Sequence, residues 1–107
     1  SQQATRSRQE MIEQADGSLR VTVPMIIANA RALLEAGRGL LLSSKNTGLT
    51  LLDLAAVTEV DSSALSVVFA WLRTAGTGGI TLRVANPPAN LISLATLYGV
   101  SELLPRA

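Results

Sequence analysis

The chain has 107 residues, of which 48% are hydrophobic and 16% charged, with a formal net charge of +1. This length and composition predict one ordinary globular domain, and the charge gives no basic surface for nucleic acid or anionic membranes. The absence of cysteine and histidine excludes disulfides, thiolate chemistry, imidazole catalysis and the usual zinc sites.

The N-terminal part of the chain predicts a polar tail followed by a β-hairpin. Residues 1–9 are polar and aperiodic, and we interpret them as a flexible tail before a domain over residues 10–107. A short strand begins at Met11 and Ile12, and Asp16-Gly17 is typical of a tight hairpin turn. Apolar and polar residues then alternate over 19–23, as in a half-buried strand.

A helix and a buried strand are predicted next. Asn29 is a candidate cap for a helix whose apolar positions repeat at helical spacing. Gly37 and Gly39 predict close packing or an early end in its second half. Residues 45–48 form a predicted turn, and the apolar run over 49–55 favours a central strand covered on both faces.

The second half of the chain repeats the alternation of helix and strand. A helix is predicted over 64–74, a flexible turn over 76–79 and a strand over 80–84. Asn86-Pro87-Pro88 indicates the start of a last helix, with Tyr98 in its buried stripe and Gly99 at its end. The order ββαβαβα predicts an α/β fold with a mixed sheet and helices packed on it. No apolar run approaches the ~18 residues of a membrane span.

The remaining residue types give no recognisable enzyme. A serine nucleophile needs a base within hydrogen-bonding distance, and the eight carboxylates are scattered without a paired acidic motif. No glycine-rich phosphate-binding loop precedes a helix. We therefore predict a non-catalytic protein with neither a metal nor a cofactor.

Asp61-Ser62-Ser63 is the candidate functional centre, because it lies where a strand leads into a helix. Free backbone N–H groups and the positive end of the helix dipole meet there, so a phosphate on either serine is electrostatically favoured. The simpler interpretation is that one of these residues caps the helix and does nothing more.

The helix after this turn has more apolar surface than one buried face requires. Leu65, Val68, Phe69 and Leu72 share the arc expected to face the sheet. Val67 and Trp71 fall outside it, nearer Ser63 and Thr74. This apolar excess predicts a docking patch or a second buried face. We take Ser62, Ser63, Val67, Trp71 and Thr74 as the candidate partner-binding residues. If Trp71 is internal, the interface is expected on the Tyr98 helix or at the chain ends.

Two segments resemble a known family. Residues 51–65, LLDLAAVTEVDSSAL, resemble the signature of STAS domains, the fold of the anti-anti-sigma factors, in which signalling members usually have glycine at the position of Ala64. Residues 94–105, LATLYGVSELLP, resemble the ending of the STAS subunits of Mla phospholipid ABC transporters, the MlaB-like members. The resemblance covers nearly the whole chain and implies a STAS-like fold.

The MlaB-like resemblance implies a cytoplasmic subunit held at the inner membrane through its partner, the MlaF-like ATPase of an ABC transporter. Such a subunit would regulate or stabilise a phospholipid transport system that maintains outer-membrane lipid asymmetry. Resemblance to the anti-anti-sigma factors implies the alternative, a serine-phosphorylation switch that binds an anti-sigma kinase. Ser63 and Ser62 are then the candidate phosphorylation sites.

Overall fold

The computed structural model describes residues 11–43 and 48–107. Its strands are β1 (Ile12–Ala15), β2 (Ser18–Val21), β3 (Leu49–Asp53) and β4 (Thr81–Ala85). Its α-helices are α1 (Ile27–Ser43), α2 (Ser62–Thr77) and α3 (Ala89–Leu97), and a 3-10 turn follows at Ser101–Leu103. The predicted order ββαβαβα is confirmed, whereas the predicted tail and residues 45–47 of the predicted turn lie outside the described residues.

The four strands form one mixed sheet in the order β1-β2-β3-β4. The β1–β2 hairpin is antiparallel, and β2–β3 and β3–β4 are parallel pairs. Gly17 has a φ of 74° in the hairpin turn, a conformation that glycine adopts without steric cost. The mixed sheet expected from the sequence is confirmed.

One face of this sheet is buried and the other is largely open. Leu19, Leu52 and Val84 lie in one cross-strand row and are each at most 4% exposed. The residues of the adjacent cross-strand rows, such as Leu51 and Arg83, point to the opposite face of the sheet. On that face Leu49 is 52% exposed, as far as the described part of the chain shows. The prediction that β3 is covered on both faces is therefore wrong. The apolar run of β3 has two causes. Leu52 faces the core, whereas Leu49 and Leu51 lie on the open face and remain partly or largely exposed.

Several helix boundaries differ from the predicted ones. Helix α1 begins at Ile27, so Asn29 lies inside its first turn, and the Asn29 side chain donates to the Pro24 carbonyl (2.8 Å). Helix α2 extends to Thr77 and includes the first half of the predicted glycine-rich turn. Asn86 does not cap α3. It has a φ of 53° and its side-chain amide donates to Asp53 Oδ1 (3.1 Å), tying the ends of β3 and β4 together.

Candidate functional site

Asp61 caps helix α2. The residue is extended (φ −130°), and its Oδ1 accepts a hydrogen bond from the Ser63 amide (2.9 Å) and another from the Ser63 hydroxyl. This bonding satisfies a backbone N–H that has no partner within the helix. The expectation that one residue of this turn caps the helix is confirmed, and that residue is Asp61.

The same carboxylate also reaches the start of helix α1. Asp61 Oδ2 accepts from the backbone amide of Ile27 (2.9 Å), 34 residues earlier in the chain. Backbone bonds reinforce the contact, since Met25 N donates to the Glu59 carbonyl (2.9 Å) and Asp61 N donates to the Met25 carbonyl (3.2 Å). One carboxylate therefore holds the first residues of two helices. This explains why α1 begins at Ile27 without a cap from its own sequence.

The hydrogen bonds favour the ionised form of Asp61. The Ser63 hydroxyl, followed by the Ile27 amide, lowers the pKa of Asp61 below its usual value, and these effects outweigh the loss of hydration. A negative charge is favourable at a helix N-terminus. The charge of Asp61 lies at the N-termini of both α1 and α2.

The two serines have different environments. Ser62 is exposed, whereas Ser63 is half-buried and its hydroxyl is bonded to Asp61. A phosphate added to Ser63 would replace that bond with repulsion between two anions. A phosphate on Ser62 would stand in solvent in the first turn of α2. The candidate centre thus contains one accessible hydroxyl and one that forms part of the cap.

Val67 and Trp71 are inside the molecule, and their predicted position on an exposed docking patch is wrong. Val67 is 4% exposed and Trp71 is 1% exposed. Helix α1 packs along this side of α2, and the Trp71 indole donates to the Leu34 carbonyl (3.2 Å). The apolar excess of α2 therefore marks a second buried face, the alternative that the sequence left open.

Thr74 lies further along the same helix. It is half-buried, and its hydroxyl donates to the Ala70 carbonyl (3.1 Å). Eleven residues separate it from Ser63, or about 16 Å at 1.5 Å per helical residue. Thr74 and the two serines can touch one partner only if the contact extends along α2.

An open, mostly apolar groove lies beside the Asp61 turn. Its main depression, about 530 Å³, runs between the start of α2 and the end of α3, and a second depression of about 230 Å³ continues between α1 and α2. We call the two together the α2 groove. Residues that line it include Ile27, Ser62, Ser63, Ser66, Phe69 and Tyr98.

Large apolar side chains stand exposed along the α2 groove. Ile27 is 74% exposed and Tyr98 is 57% exposed. The prediction that Tyr98 belongs to the buried stripe of α3 is wrong, because α3 ends at Leu97 and Tyr98 turns towards the groove. Sequence reasoning missed Ile27, because its place beside Ser63 depends on a contact between distant parts of the chain.

Among residues 11–43 and 48–107, no group of three or more acidic side chains lies close enough to hold a metal ion. No helix in these same ranges is long and apolar enough to cross a bilayer.

The hairpin leading into parallel strands, with a capped helix after the Asp61 turn, forms an α/β domain of the kind that the resemblance to STAS domains implies. The chain belongs to the family described as "Mlab, STAS domain", whose sequence model matches residues 9–105. A crystal structure of a Thermotoga maritima protein, described as a putative anti-sigma factor antagonist, has a similar fold, with a TM-score of 0.71 and 16% sequence identity. The match covers 89% of this chain and 82% of the other. The comparison with curated proteins found no significant match.

Proposed function

We propose that the chain is a non-catalytic STAS subunit that binds the MlaF-like ATPase of an ABC phospholipid transport system and regulates or stabilises it. In this role it lies in the cytoplasm, peripheral to the inner membrane through its partner, and contributes to outer-membrane lipid asymmetry. The match to the family described as "Mlab, STAS domain" supports the proposal, as does the resemblance of residues 94–105 to the MlaB-like ending.

The observation that carries the proposal is the α2 groove. Exposed apolar side chains flank a shallow depression at Ile27 and Tyr98, and such patches commonly mark protein–protein contacts. Tyr98 is an aromatic residue with a polar hydroxyl, and such residues commonly contribute much of the binding free energy of an interface. Ser62 lines the same depression and offers a small polar group for contact with a partner.

Capture of the purified ATPase subunit by groove variants tests this surface. Ile27→Ala and Tyr98→Ala remove exposed side chains, so each should fold normally and weaken capture at least about tenfold. Leu42→Ala is the matched control, because Leu42 is 64% exposed at the far end of α1. Equal capture by all three variants would remove the groove from the interface.

Charge in the groove gives a second test. A glutamate at position 62 would be dehydrated without a partner in the complex, which is costly. In the free domain the same charge is neutral or mildly favourable at the start of α2. Ser62→Glu should therefore fail to capture the ATPase subunit while its melting temperature stays that of the wild type. Thr81→Glu, on the open face of the sheet, should change neither the capture nor the melting temperature. The bonded Ser63 is less suitable, because Ser63→Glu also removes the hydroxyl bond to Asp61 and places a second carboxylate beside it.

The non-catalytic part of the proposal is tested by turnover. The chain alone should hydrolyse neither nucleotides nor esters, because the sequence has no histidine and the carboxylate bonded to the Ser63 hydroxyl, that of Asp61, is a weakened base already engaged in capping. Its effect should appear as a changed rate or stability of the ATPase. Hydrolysis that scales with the concentration of this chain alone, in a preparation cleared of contaminants, would overturn it.

The exposed position of Ser62 favours a second candidate, a phosphorylation switch that binds an anti-sigma kinase. A kinase can reach Ser62, and the dipole of α2 favours the phosphate. Incubation with ATP and an anti-sigma kinase should then incorporate phosphate that is lost in Ser62→Ala and kept in Ser63→Ala. No incorporation under conditions that phosphorylate a known substrate would exclude this candidate.

A further inference from the structure

Two of the three residues that join the two depressions of the α2 groove are bonded to Asp61. Three residues line both depressions, namely Ile27, Ser63 and Ser66. The Asp61 carboxylate accepts from the first two of them, through the Ile27 amide and through the amide and hydroxyl of Ser63. Asp61 is not among the residues that line either depression.

We propose that Asp61 is a positioning residue for partner binding, which sets the shape of the α2 groove by fixing the start of α1 against the start of α2. The inference rests on the proposed function for its partner, the ATPase subunit. Without the bond to Asp61, the first turn of α1 loses an acceptor for its leading amide and becomes free to move away from α2. The exposed Ile27 side chain would move with it, and an ordered contact would become a mobile one.

The remaining contacts predict that the fold survives loss of this bond. Met25 is 1% exposed and keeps its backbone bonds to the Glu59–Asp61 segment. Further along, α1 remains anchored by Leu33 and Leu41, which are both buried. Only the first turn of α1 should respond, so a change at Asp61 can alter the groove without unfolding the domain.

Asp61→Asn separates positioning from capping. Asparagine caps helices about as well as aspartate, so its one side-chain oxygen can still accept from Ser63. Its NH₂ group is a donor and cannot accept from the Ile27 amide. If Asp61 only caps α2, Asp61→Asn should leave the start of α1 and partner binding unchanged. If Asp61 positions α1, the same substitution should alter both.

The matched control is Asp53→Asn. Asp53 is another hydrogen-bonded carboxylate, whose Oδ1 accepts from the Ala55 amide (3.0 Å) and from the Asn86 side chain. It lies at the end of β3 and is not among the residues that line the groove. The same substitution there tests the general effect of replacing a bonded carboxylate.

Two measurements on the full chain decide the matter. Hydrogen exchange followed by NMR should show the Ile27 amide exchanging at least about tenfold faster in Asp61→Asn, as expected for a lost bond to a charged group. Affinity for the purified ATPase subunit should fall about tenfold in the same variant. In Asp53→Asn both quantities should stay at the wild-type values.

Each opposite result has one meaning. Unchanged Ile27 exchange in Asp61→Asn would overturn the positioning role. Faster exchange with undiminished ATPase affinity would also overturn it, because the groove would then not depend on the bond. Failure of the wild-type chain to bind the ATPase would instead overturn the proposed function, and the exchange measurement would still report whether Asp61 holds α1.

Discussion

Asp61 and Asp53 show how a short polar side chain can organise distant parts of a small domain. Asp61 accepts from two backbone amides and one hydroxyl, and Asp53 accepts from one backbone amide and one side-chain amide. Each carboxylate joins two elements that are far apart in sequence. The pKa of Asp53 is lowered chiefly by the Asn86 side chain and then by the Ala55 amide. In both cases the bonds favour the charged form, so protonation should weaken the fold.

The lowered pKa values predict a specific dependence of stability on pH. The folded pKa of each aspartate lies below its unfolded value of about 3.9, so its contribution is complete above that pH. The contribution is lost as the pH falls through the lowered folded pKa. Thermal melts between about pH 7 and pH 2 should show a loss of wild-type stability below about pH 4. Asp61→Asn and Asp53→Asn should each flatten that loss, and parallel curves for all three proteins would contradict the assignment.

Trp71, the single tryptophan of the chain, is a core residue. Truncation to alanine should destabilise the free domain by about 3–5 kcal/mol, because it leaves a large cavity between α1 and α2. Tyr98→Ala, at an exposed aromatic residue, should stay within about 0.5 kcal/mol of the wild type. Denaturant titrations measure both changes.

Fluorescence gives an independent check on Trp71. Its emission should already be blue-shifted in the free chain and should not move when the ATPase subunit is added. Red-shifted emission, or a Trp71→Ala variant as stable as the wild type, would show that the indole is exposed and the core assignment wrong.

The packing of α1 on α2 depends on a glycine opposite the indole ring. A Cβ added at Gly37 would lie 2.3 Å from the Cε2 and Nε1 atoms of Trp71, too close without a shift of the ring. The sequence predicts close packing or an early helix end at this position, and close packing is what the structure has. Gly37 is therefore the residue that lets the second buried face of α2 form.

Two glycines of α1 form a matched pair for testing this contact. Gly37→Ala should destabilise the domain by about 1–3 kcal/mol, since the added methyl overpacks the interface with Trp71. Gly39 is exposed, and a Cβ added there would meet no neighbouring element within 4 Å, so Gly39→Ala should be neutral or stabilising by up to about 1 kcal/mol. Chemical denaturation of both variants measures the difference. Equal effects would mean that the two helices are further apart than described.

The order of helices and strands could be predicted from the sequence because each element carries its own periodic pattern and its own turn signal. The Asp61 turn was found in the same way, from residues adjacent in the chain. The orientation of Trp71 could not be found, since a helical wheel shows which residues share a side but not which neighbours cover it. The α2 groove was missed for a related reason, because Ile27 and Ser63 meet only through a tertiary contact.

The whole domain is a sheet with its helices on one side, as far as residues 11–43 and 48–107 describe it. The buried rows of the sheet join the helices in one hydrophobic core. The opposite face carries charged side chains such as Arg20 and Arg83 among its leucines, and both are exposed. Because the core is on one side of the sheet, the α2 groove and the open sheet face are separate surfaces. Of these two, the groove is the one that contains Ser62 and Ser63.

Two leucines of β3 test whether the core is one-sided. Leu52 is 1% exposed and pairs with Val84 inside the core, whereas Leu49 is 52% exposed on the other face. Leu52→Ala should destabilise the chain by about 2–5 kcal/mol, and Leu49→Ala by less than about 1 kcal/mol, mostly through the lower strand propensity of alanine. Because the substitution and the strand are the same, urea titrations compare the two faces directly. A large loss at Leu49 that depends on protein concentration would show that a second copy covers the open face. A large loss independent of concentration would mean that part of the same chain packs there, and the one-sided core would then be wrong.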